Sequence, residues 1–296
     1  MTQSGITRRT PDPSGGRIVR SASGEATGLL VDRAQGLIAG GTDGSASGGD
    51  PEGGTRAALE QYAQLGYTSI HQLDGVVTAA KNRGFQLNVH AIGDKAVTRL
   101  LDAFERAGVT AADRFRVEHA SMVAPADVPR FARLGVVASM QPVFIGEYSR
   151  WAADRVGPVR INSVLPIRTL LASGAVVACG TDYGASDSGD PIQTLSALVA
   201  GRSADGSAGA AWFIPQRVDV DAALRCMSEG PAFAAFQEHD LGALTVGRYA
   251  DFTVLSADPH TTAPDQLRNL TVRMTVMAGR VRHDTAATRN TSQPGH

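Results

Sequence analysis

Phe85-Gln86-Leu87-Asn88-Val89-His90-Ala91-Ile92-Gly93-Asp94-Lys95-Ala96 is the stretch from which the fold can be read. Phe85 to Val89 favours a strand, and after it Val97, Leu100, Leu101 and Phe104 recur at helical spacing. The unit therefore reads as a strand ending on His90, a turn through Gly93 and a helix, with Asp94 at the position of an N-cap. The plan returns at Phe115-Arg116-Val117-Glu118-His119, followed by a helix over 126–134. A third strand, 136–141, stops at Pro142, and a fourth, 175–182, ends on Asp182.

His90 and His119 are 29 residues apart, and Asp182 follows 63 residues later. Those spacings fit one βα unit and then two longer ones. A parallel β/α barrel delivers every strand end to one rim, so His90, His119 and Asp182 are expected to meet there. Two imidazoles and a carboxylate on an open rim resemble a hydrolytic metal site. Taken alone, each histidine reads better as a hydrogen-bonded strand terminus than as a ligand, and Asp182 can be read as the cap of a turn.

The chain has 296 residues and 43% hydrophobic content, enough for a barrel-sized core. Its 28 basic and 29 acidic residues are interleaved, so nothing in the charge points to nucleic acid or to a membrane surface. The two cysteines, Cys179 and Cys226, form no CxxC pair, and the expectation is two thiols in a reducing compartment, with Cys179 in the core. The N-terminus lacks the apolar segment of a signal peptide, which adds to the expectation of a cytoplasmic protein.

Residues 1–54 read as an N-terminal remnant, with Arg17-Ile18-Val19 a short strand and Leu29 to Ile38 a short helix, leading into a linker that holds eight glycines between Gly36 and Gly54. Residues 55–236 carry the βα units: a helix over 55–65, a strand Tyr67-Thr68-Ser69-Ile70-His71, a helix over 75–83, the four strands above, and helices over 191–199 and 220–228 that end at Gly230-Pro231. Residues 237–283 hold short strands at 243–247, 250–255 and 272–281, an antiparallel β appendage. The polar tail 284–296 reads as disordered.

Asn88-Val89-His90-Ala91-Ile92-Gly93-Asp94-Lys95-Ala96, Arg116-Val117-Glu118-His119-Ala120, Gly180-Thr181-Asp182 and the run from Leu241 to Leu255 together resemble the YtcJ-like branch (amidohydrolase family 3) of the amidohydrolase superfamily. The resemblance implies an α/β fold, a TIM-type (β/α) barrel with a small C-terminal β appendage. It implies His90 and His119 as ligands of a divalent metal, zinc in the first instance, with Asp182 as both ligand and catalytic base. Asp94 is placed beside His90 as a partner that orients it. The reaction implied is hydrolysis of a non-peptide carbon–nitrogen bond in a small amide-type substrate. Glu118 and His71 are read as structural, and Gln141 and Tyr183 as neighbours of the substrate.

The chain departs from the family pattern in two ways. No His-x-His occurs, and only residues 72–86 separate the Tyr67–His71 strand from the His90 strand, where family members carry a long section. Five barrel-type strands are countable where closure needs eight, so the barrel is incomplete and the chain is a truncated or internally deleted relative. Uncovered strand edges leave room for a homo-oligomer. They also support the alternative of an inactive fragment or pseudoenzyme that binds a partner.

Overall fold

The computed structural model of the chain describes residues 6–13, 16–21, 23–32, 73–183, 185–186, 189–202 and 211–286. The Tyr67–His71 strand with His71, the helix over 55–65, the glycine-rich linker and nearly all of the tail lie outside these residues. The chain divides into two compact units, Met1–Ala58 and Leu59–His296.

In the first unit, β1 (Gly16–Arg20) and β2 (Ala26–Asp32) pair as an antiparallel hairpin. Gly24, with φ of 84°, gives the connecting turn its left-handed residue, and Ser21 N–H donates to Glu25 O across it. This corrects the helix expected from Leu29: Leu29 to Asp32 is the far end of β2. Leu30 and Val31 find their backbone partners in Ile18 and Arg17 of the facing strand, a pairing that helical spacing alone does not report.

The second unit is built on four parallel strands in the order β3 (Asn88–Ala91), β4 (Arg116–His119), β5 (Val137–Met140), β6 (Val177–Cys179). α1 (Leu73–Asn82), α2 (Asp94–Arg106), α3 (Val128–Leu134), a 3₁₀ turn (Pro142–Phe144), α4 (Ile145–Tyr148), α5 (Ala152–Arg160) and α6 (Ile167–Ala172) lie between or before these strands in sequence. Four adjacent parallel strands with interleaved helices are the α/β, barrel-type arrangement expected.

Pattern fixes how these elements pack. α2 buries Val97, Leu100, Leu101, Ala103 and Phe104. Covering each of the larger side chains is worth about 1.5–3 kcal/mol. The same core takes Val89 and Ala91 of β3, Val117 of β4, Ala138 and Met140 of β5, and Val177 and Cys179 of β6. α3 ends at Gly135, whose φ of 66° turns the chain toward β5 where a Cβ would fall 2.2 Å from the Ala111 Cα.

The opposite face of the sheet is divided. The ladder aligns Asn88 with Arg116 and Val137, and His90 with Glu118, Ser139 and Ala178. On the β5–β6 side, Val137 and Ala178 are buried against Ala234 of α9 (Glu229–Ala234). Gly230 allows that approach, since a Cβ there would lie 2.3 Å from Val177 O. On the β3–β4 side the same face is polar, with His90 exposed, Asn88, Arg116 and Glu118 half-buried, and Arg116 Nε donating to Glu118 Oε1 at 2.8 Å.

α7 (Pro191–Ala200) is capped by Asp190, and α8 (Val220–Met227) by Asp219, each carboxylate accepting from a first-turn N–H. The break expected at Gly230-Pro231 is a restart: proline sits in the first turn of α9, where its missing N–H leaves no hydrogen bond unmade. The C-terminal β segment is an antiparallel sheet of β7 (Phe252–Leu255), β8 (Val272–Met277) and β9 (Arg280–Asp284). Residues 243–247 are turns, not the strand expected there, with Gly242 and Gly247 both at positive φ.

The two cysteines are joined. Cys179, the last residue of β6, and Cys226 of α8 form a disulfide with Cα atoms 5.2 Å apart, and both side chains are buried. The expectation of two thiols is therefore corrected. Forty-seven residues separate the pair, and a contact set by the packing of α8 against β6 leaves no local sequence signature.

Candidate active site at the strand ends

His90 and His119 stand on neighbouring strands at the same end of the sheet, and their rings meet edge to face with centroids 4.4 Å apart. Simple alternation would not bring them together. Ala91 is the ladder partner of His119, so His119 belongs by register to the helix-covered face, while Glu118 shares the face of His90. The backbone resolves this at the strand end, where His119 takes φ of 75° and Ala120 φ of 43°. Two successive non-glycine residues in left-handed conformation cost of order 1–3 kcal/mol each, and such strain collects where a fold must aim a side chain. Glu118, expected to point away from the rim, lies instead beside His90 and is held by Arg116.

The His119 ring is fixed on both sides. Its Nδ1 lies 2.8 Å from Gln141 Oε1, and its ring is 6.4 Å from that of Phe144. Gln141, expected beside the substrate, is 7% exposed and spends its side chain on His119 and on Ser139 O. Tyr183 is 83% exposed.

Beyond His119 an aromatic row continues. Phe144 stacks on Tyr148 at 5.8 Å, and Tyr148 meets Trp151 edge-on at 4.9 Å. Tyr148 Oη and Ser121 Oγ are 3.0 Å apart and buried, and burial pushes the Tyr148 hydroxyl above its ordinary pKa. Sequence reasoning did not single out these residues. Their spacing of four and then three was the available signal, since it places all three rings on one side of a helical turn.

Asp182 follows β6 by three residues, with φ of 53°, and its backbone O accepts from the N–H groups of Ala185 and Ser186. The turn is thus organised by its main chain. Asp94 is the first residue of α2; Gly93 is the N-cap, and the Asp94 carboxylate lies 3.6 Å from Arg160.

His90 and His119 are two adjacent imidazole donors of the kind that bind zinc. Among the described residues no group of three His, Cys, Asp or Glu side chains is placed to hold a metal ion. The donor chemistry fits at the histidine pair, but among the described residues Asp182, expected as a further ligand, does not complete a three-ligand group with it.

The profile of the family described as "Amidohydrolase family" matches residues 1–76 and 71–283. The chain belongs to this family. The two matches overlap at residues 71–76. YtcJ of Bacillus subtilis (strain 168), a protein named as an amidohydrolase, is 27% identical over 372 residues, covering 95% of this chain and 70% of YtcJ. Because the chain has only 296 residues, at least 76 positions of that 372-residue alignment have no counterpart here. The N-substituted formamide deformylase of Arthrobacter pascens is 27% identical over 224 residues, which are 74% of this chain and 40% of the deformylase. Among solved structures, a metal-dependent hydrolase from Pyrococcus furiosus is similar at 32% identity with a TM-score of 0.52, over 62% of this chain and 36% of that one. The chain thus spans well under half of the deformylase and of the solved hydrolase.

Proposed function

We propose that the chain is a metal-dependent hydrolase of a small substrate with a non-peptide, amide-type carbon–nitrogen bond. The observation that carries the reading is the histidine pair, two imidazoles 4.4 Å apart brought together by left-handed backbone at a strand end. Family membership supports the reaction class, and the named activity of the Arthrobacter deformylase supports an N-substituted amide as substrate.

His90 and His119 would hold the divalent metal, zinc in the first instance. When bound, such an ion polarises the scissile carbonyl and lowers the pKa of water. Asp182 accepts the proton of the attacking water and delivers it to the leaving nitrogen. The water oxygen adds to the carbonyl carbon, and the C–N bond then breaks as the nitrogen takes the proton, giving a carboxylic acid and an amine. The buried, stacked rings of Phe144 and Tyr148 back the His119 side of the site. Cytoplasmic residence belongs to this proposal, against which stands the Cys179–Cys226 disulfide, a bond rare in reducing compartments; no helix among the described residues is long and apolar enough to cross a membrane.

The test is metal analysis of the purified chain, followed by zinc-supplemented assays on N-substituted formamides and simple amides. Wild type is expected to turn over, and Asp182→Asn to lose about 10²–10⁴-fold, the usual contribution of a general base. Full turnover in Asp182→Asn would refute the assignment of that residue. A second reading, an inactive remnant, is favoured by the missing third ligand among the described residues. It predicts metal-free protein that gains no activity with added zinc.

A further inference from the structure

We infer that Gln141 is a positioning residue that locks His119 as its Nδ1–H tautomer and so reserves the Nε2 lone pair for a ligand. The argument needs only donors and acceptors. The Gln141 side chain reaches two groups, Ser139 O at 3.2 Å from Nε2 and His119 Nδ1 at 2.8 Å from Oε1. A backbone carbonyl only accepts, so the amide NH₂ must face Ser139. Turning the amide over would set two acceptor oxygens against each other at 3.2 Å, in a side chain only 7% exposed. The amide oxygen therefore faces the imidazole, and because it too only accepts, Nδ1 of His119 must carry the proton.

In neutral imidazole a protonated Nδ1 leaves Nε2 with its lone pair. Histidines that bind metals commonly have their second ring nitrogen fixed in this way, and loss of the fixing group costs 10–100-fold in affinity. Gln141 lies just beyond β5, next to the strand that ends on His119, so the sheet itself sets the separation of the two side chains. The positive φ at His119 aims the ring, and Gln141 sets its face and its proton.

This inference deepens the proposed hydrolase reading, and its test separates the two. The tautomer of His119 is read by nitrogen-15 NMR of metal-free, histidine-labelled protein at a pH where the ring is neutral. Wild type is expected to show Nδ1–H. Gln141→Leu is expected to shift His119 toward Nε2–H while keeping the wild-type melting behaviour. Nε2–H in wild type, or an unchanged tautomer in a folded Gln141→Leu, overturns the inference. Zinc affinity, measured by competition with a chromophoric chelator, is expected to fall 10–100-fold in Gln141→Leu. Equal affinities for wild type and Gln141→Leu also overturn it. If wild type shows Nδ1–H but takes up no zinc, the positioning role of Gln141 stands and the metal-hydrolase reading fails.

Discussion

Breaking the Cys179–Cys226 disulfide is expected to lower the thermal stability of the second unit by a large and calculable amount. The bond closes a loop across 47 residues. In the chain-entropy treatment, a cross-link of that span removes about 14 cal/mol/K from the unfolded chain, or about 4 kcal/mol at 25 °C. For a unit of more than 200 residues each kcal/mol moves the midpoint by about 2–4 °C, so the expected fall is about 8–16 °C. Protein purified without reductant would be melted before and after reduction, alongside Cys179→Ala, Cys226→Ala and the double variant. The singles and the double should fall together, because either change removes the same bond. Alkylation in denaturant followed by intact mass measurement should add nothing before reduction and two groups after it. Two reactive thiols in the unreduced protein, or a Cys226→Ala midpoint within 2 °C of wild type, would refute the reasoning.

Two further expectations follow from the packing of the second unit. His260 donates between Asp221 of α8 and Asp258, each 3.0 Å away, and these carboxylates, Asp221 foremost, raise its pKa above 6.5. A raised folded-state value means the contact contributes fully below pH 6.5 and is lost as the pH climbs through it. The midpoint gap between wild type and His260→Ala should therefore be widest below pH 6.5 and close on the alkaline side; a gap that widens with pH would contradict this. Gly230→Ala sets a methyl 2.3 Å from Val177 O and should cost about 1–3 kcal/mol in a denaturant titration, with an unchanged midpoint counting against the close approach of α9 to β6.

The strands and helices around His90 were legible because their signals are local. Short runs of strand-favouring residues mark β3 to β6, and helical spacing marks α2 and α7. The histidine pair was legible as a pair for the same reason, since consecutive parallel strands deliver their ends to one place. What the sequence did not carry is geometry set by contacts distant along the chain. Register alone assigns His119 to the wrong face, and only the left-handed turn at His119 and Ala120 corrects it. Cys226 meets Cys179 because α8 packs on β6, and Gln141 turns inward because His119 and Ser139 O occupy both ends of its amide. Leu29 to Asp32 was misread because a short apolar run suits either a helix or a hairpin arm until its partner is known.

The two-part face of the sheet bears on how a four-stranded parallel sheet stays out of aggregates. A barrel cut open exposes its lining, and a greasy lining would send the chain into aggregates. Here the apolar part of the lining already rests on α9, and the part near His90 is charged and amide-bearing. An uncovered sheet face is tolerated where it is hydrophilic, and in this chain the hydrophilic stretch is also the one that carries the first histidine.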